Sequence, residues 1–92
     1  EQVIVIEKDN MESVFMHGMA NMEVSNYPVA SGSFTKVIEH NDNLYLEDAA
    51  WYLGLCYMMT DNNDKAVKQF DAIAASKSRY SRQAARLARK LR

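Results

Sequence analysis

An all-α fold is predicted, built of helix-turn-helix repeats stacked into a short solenoid of about five helices. Three observations lead there. Gly18, Ala30 and Phe34 recur as Gly54, Ala66 and Phe70, a Gly-x11-Ala-x3-Phe spacing copied 36 residues further on. Each copy holds two stretches with apolar residues at helical intervals, parted by a polar, turn-favouring run. The chain has 92 residues, enough for one small domain. A repeat of this length marks a stacked array, because one unit cannot bury its own apolar face.

The elements follow in order. Residues 1–9 read as an extended segment or linker, since Val3, Ile4, Val5 and Ile6 are consecutive β-branched residues that favour a strand. A first helix is expected over 11–23, with Val14, Phe15, Met19 and Met22 to one side and an Asp9/Glu12 capping box at its start. Ser25 to Pro28 form the turn, with Asn26 as N-cap and Pro28 in the first turn of the second helix. That helix runs over 29–40, with Ala30, Phe34, Val37 and Ile38 inward; Gly32 lets it bend or start late. Residues 40–43 break the two units. A third helix spans 47–60, a polar turn 61–64, and a fourth helix 65–76, with Ala66, Val67, Phe70, Ile73 and Ala74 on one stripe. A glycine inside a helix costs about 1 kcal/mol against alanine. Here it has a use: Gly54 and Ala66 let the antiparallel pair approach, and Phe70 fills the space between them. A last helix presents Tyr80, Ala84, Leu87, Ala88 and Leu91 on one face.

Leu53-Gly54-x2-Tyr57, Ala66-x3-Phe70 and the copy Gly18, Ala30, Phe34 resemble the tetratricopeptide repeat (TPR), a helix-turn-helix unit of about 34 residues. Its tryptophan is displaced by one, with Ala50 in its place and Trp51 after it. Ile73 and Ser78 stand where a small residue and a proline are usual, and Val14, His17 and Asn21 replace the first unit's Trp, Leu and Tyr. The resemblance covers roughly residues 11–92. It implies a right-handed superhelix with repeat one over about 10–43, repeat two over about 44–77 and a capping helix over about 78–92. Two units with one extra helix and no initiator methionine give the expectation of a piece from the C-terminal end of a longer protein.

The resemblance also implies a function, a non-catalytic scaffold that binds a protein or peptide segment in the groove lined by the first helix of each unit. The groove positions carried over are Glu12, Phe15, Met16, Met19 and Met22 in unit one and Asp48, Trp51, Tyr52, Leu55 and Met58 in unit two. Methionine suits adaptable contact surfaces and aromatics suit anchors. The same stripe is equally readable as core, or as a surface buried between identical chains in a structural homo-oligomer. A homodimer paired through Val3 to Ile6 is another form of that reading.

Charge supplies the remaining rival. Residues 77–92 hold seven Lys or Arg and no acid, while the rest of the chain holds four basic and twelve acidic residues and sums to −8. Arg79, Arg82, Arg86 and Arg89 are expected on one face of the last helix, as a solvating end of the array or as an electrostatic adaptor for anionic lipid or nucleic acid. The lack of aromatics along that stripe argues against nucleic acid. Membrane contact is expected only through this helix or an unseen upstream segment.

No catalytic constellation emerges. His17 stands at a core leucine position and is expected to be packed and hydrogen-bonded; Cys56 is expected as a small buried hydrophobe. A His17–Cys56 nucleophile pair lacks an orienting third group. No His, Cys and acid set has metal-ligand spacing, the three glycines are isolated, and no metal or cofactor is expected. One cysteine permits no internal disulfide and does not identify the compartment. The resemblance suggests the periplasm or cell envelope, with the cytoplasm as the alternative.

Overall fold

The computed structural model describes residues 10–40 and 44–92. Five helices follow in order: α1 (Met11–Glu23), α2 (Tyr27–His40), α3 (Leu46–Met59), α4 (Asn63–Ala75) and α5 (Ser81–Leu91). Each packs chiefly on its neighbours in sequence, and no strand occurs among the described residues. The result is the expected stack of helical repeats, a slab of 47 × 26 × 17 Å. The expected strand and homodimer contact at Val3 to Ile6, and the Asp9 half of the capping box, lie outside the described residues.

The glycine–phenylalanine pairs are the packing unit, as expected. Phe34 and Phe70 are fully buried. A Cβ on Gly18 would lie 2.7 Å from the Phe34 ring, and one on Gly54 2.5 Å from the Phe70 ring. No side chain fits there without displacing a ring. Ala30 and Ala66 are completely buried in the same crossings. Burying each phenylalanine contributes roughly 1.5–3 kcal/mol.

The turns repeat as faithfully as the core, which was not expected. Ser25 and Asp61, 36 residues apart, both take the left-handed conformation, at φ 64° and 60°. The amide of Asn26 bonds the Asn21 carbonyl at 2.7 Å, and that of Asn62 the Tyr57 carbonyl at 2.8 Å. Ser25 reaches Met22 at 3.0 Å and Asp61 reaches Met58 at 3.2 Å. This paired closure is the Schellman helix ending, which satisfies carbonyls the helix would otherwise strand. Ser25 and Asp61 are not glycine, so each turn carries a left-handed cost that favourable bonds offset.

Boundaries shift because these turns are tight. α2 begins at Tyr27, two residues before the expected start, and α4 at Asn63, also two residues early. Asn26 sits beside the α2 start, but its side-chain amide donates to Asn21 Oδ1 at 3.3 Å. α1 is capped by Asn10, whose side chain accepts from the Ser13 amide at 3.3 Å. Gly32 does not delay α2, which starts at Tyr27; it is exposed with open space around it.

Two hydrophobic clusters share the slab. The first joins Met11, Val14, Ala30, Phe34, Val37, Ala49, Leu53 and Cys56. The second joins Ala66, Phe70, Ile73, Ala84 and Ala88. Helix α3 belongs to both, and Tyr57 packs against each.

Candidate interaction surfaces

Of the expected groove residues, the three aromatics pack on other rings within the molecule. Phe15 packs on Phe34 with ring centres 5.8 Å apart and stacks on Tyr45 at 5.2 Å. Trp51, its counterpart 36 residues on, packs on Phe70 at 5.5 Å and stacks on Tyr80 at 5.0 Å, only 6° from parallel. Tyr45 and Tyr80 immediately precede α3 and α5. Each aromatic therefore joins its own unit's phenylalanine to the tyrosine opening the following unit. Tyr52 is also committed, stacked on Phe34 at 5.8 Å. Offset and tilted ring contacts of this kind add roughly 0.5–1.5 kcal/mol each beyond burial.

The rest of the unit-two groove set is equally engaged. Asp48 accepts a hydrogen bond from the Tyr80 hydroxyl and one from Arg79 at 3.2 Å, and Arg79 also lies 3.8 Å from Glu47. Burial, and then the Asp48 carboxylate, push the Tyr80 phenol up to about 12. Leu55 and Met58 pack against the second cluster.

Unit one differs. Met19 and Met22 are half-buried against the first cluster, while Met16 is 57% exposed. With Ala20 and Glu23 they line a shallow, mainly apolar trough along α1. Glu12 is exposed and makes no ion pair among the described residues. Of the ten expected positions, Glu12 and Met16 are exposed and the other eight are half-buried.

The basic face is also divided. Arg79 lies in the turn before α5 rather than on that helix, and its charge is met by Asp48 and Glu47. Its guanidinium lies over the Tyr80 ring, 5.5 Å from the centroid. Arg82, Arg86 and Arg89 are exposed along α5 and form no ion pair among the described residues. Arg82 and Arg86, with Lys77, Arg79 and Gln83, line an open depression at the α4–α5 turn.

His17 is hydrogen-bonded as expected but exposed rather than packed. Its Nδ1 lies 2.8 Å from Ser33 Oγ, and its Nε2 lies 3.3 Å from the Asn21 amide nitrogen. That nitrogen also donates to the His17 carbonyl at 2.9 Å. The tautomer of the ring sets which partner donates in each of these two contacts. Cys56 is fully buried, and burial pushes its thiol up, with a hydrogen bond to Ser31 pulling partly the other way. His17 and Cys56 thus have different serine partners on α2.

Among the described residues no three His, Cys, Asp or Glu side chains converge. No described helix is long and apolar enough to cross a membrane. No family model, curated protein or solved structure matches the chain.

Proposed function

We propose that the chain is a non-catalytic protein-interaction domain of TPR type, and that its contact surface is the exposed face of α1. The supporting observation is Met16, 57% exposed beside Ala20, Met19 and Met22 in an apolar trough that no described element covers. Methionine side chains adapt to varied apolar partners, and Glu12 and Glu23 at the ends of the helix supply orientation. Apolar burial drives the contact, at roughly 25 cal/mol per Å² before association costs. This surface is narrower than the groove expected from the sequence, because Phe15, Trp51 and Tyr52 are engaged in joining the units.

The test compares wild-type bait with Met16→Glu/Ala20→Glu, two exposed positions whose change leaves the core intact. A partner captured by wild type, lost by the folded double variant and reproduced with purified components supports the reading. Equal capture by both baits removes α1 as the contact surface.

A further inference from the structure

The internal repeat states what kind of segment fits α1. On α3, the side facing α2 is formed by Ala49, Tyr52, Leu53 and Cys56, with Ala49 and Cys56 at 0% exposure and Leu53 at 5%. Moving back by 36 residues gives Ser13, Met16, His17 and Ala20 on α1, and all four are exposed. The size pattern survives at three of the four positions: Ser13 and Ala20 are small where Ala49 and Cys56 are small, and Met16 is long where Tyr52 is large, while Leu53 gives way to His17, whose Nδ1 lies 2.8 Å from Ser33 Oγ. In unit two this pattern accepts a helix: Ser31 of α2 meets Cys56, and Phe34 stacks on Tyr52. Small residues seven apart let two helix axes approach closely, and the large residue between them packs on the incoming aromatic.

We infer that the α1 face is a helix-accepting site, taking an amphipathic helix from a partner protein in the position α2 holds on α3. This rests on the reading of α1 as the contact surface and adds the partner's conformation and pattern. The partner helix carries an aromatic three residues after a small polar residue, as Ser31 and Phe34 do. Met16 offers its thioether to that ring, where Tyr52 offers a stack. An extended peptide would satisfy neither small position, since its side chains alternate between two faces instead of forming one stripe.

The probe is a peptide of the α2 sequence, residues 27–40, stapled between positions 32 and 36, which are exposed in α2. It is titrated into the isotopically labelled 92-residue chain and followed by amide shifts. Saturable shifts centred on Ser13, Met16, His17 and Ala20 are expected. A loss of about tenfold or more in affinity is expected for Met16→Glu/Ala20→Glu protein, because a buried unpaired carboxylate replaces an apolar contact. The same loss is expected for an unstapled Ser33→Pro peptide, which keeps Phe34 but breaks the helix. Equal binding by the proline peptide, with shifts still on α1, overturns the helix requirement and leaves the contact-surface reading standing. Shifts mapping to α3 instead, or a face already covered by a second copy of the chain before peptide is added, overturn the inference. If no peptide binds, the inference fails while partner capture still decides the broader reading.

Discussion

The two joints between successive units use rings at equivalent positions and differ in the charges beside them. At the first, Phe15 bridges Phe34 and Tyr45; at the second, Trp51 bridges Phe70 and Tyr80. At the second, Asp48 takes both the Tyr80 hydroxyl and the Arg79 guanidinium. At the first, Glu12 stands at the position of Asp48 without an ion pair among the described residues, and Leu44 stands 35 residues before Arg79 with 87% of its surface exposed. Ring stacking is therefore common to both joints, and the second adds the contacts of Asp48 with Tyr80 and Arg79 at the end that carries α5. A terminal helix has a neighbour on one side only, so extra contacts there offset the missing half of its packing.

The largest test of that difference is truncation of the bridging ring. Trp51→Ala should lower unfolding free energy by about 3 kcal/mol or more, and Phe15→Ala by about 1 kcal/mol less, in urea melts. Equal losses would mean the clamp adds nothing to the second joint. Next comes the glycine contact. Gly54→Ala should cost about 1–3 kcal/mol, since its Cβ would meet the buried Phe70 ring, and Phe70→Leu in the same chain should recover part of that. No recovery would place the cost elsewhere than in the ring contact.

Tyr80→Phe removes only the hydroxyl and should cost about 1 kcal/mol. It also has a pH signature. The folded phenol is raised to about 12 from an ordinary value near 10, so its contribution is complete below about pH 10 and is lost as pH rises towards about 12. Wild type should lose stability across that window more steeply than Tyr80→Phe, and parallel profiles would mean that the folded phenol is not raised. The smallest expected effect sharpens the comparison from the other side. Leu44→Arg places a cation at the vacant position of the first joint and should gain about 0.3 kcal/mol at low salt, vanishing at high salt. A gain that persists in high salt would be apolar rather than electrostatic.

Much of this was legible in the residues. The Gly18–Phe34 and Gly54–Phe70 contacts follow from spacing, because a missing Cβ and a large ring at fixed offsets leave one way to pack. The openness of the groove was not legible. Phe15 and Trp51 occupy positions where the family resemblance implies binding anchors, but ring stacking across units depends on where Tyr45 and Tyr80 fall in space. A signal was present, since Tyr45 and Tyr80 recur at nearly the repeat period, just before Ala49 and Ala84 respectively. The left-handed turns were hidden for a different reason: Ser25 and Asp61 share neither size nor charge, and only the asparagines following them, Asn26 and Asn62, mark the repeat. His17 fell outside its expected setting because Ser33 and Asn21 supply partners at the surface, so a polar ring there needs no core.

The lone thiol of Cys56 gives the chain a clock. It is completely enclosed between α2 and α3, and its proton is held more tightly than in water. An alkylating reagent reaches it only when those helices part, so the labelling rate counts openings of the first joint. Trp51 fluorescence reports the second joint over the same minutes. If the two signals change together, the slab unfolds as one cooperative body; if the thiol reacts while the tryptophan stays dark to denaturant, the units come apart one at a time.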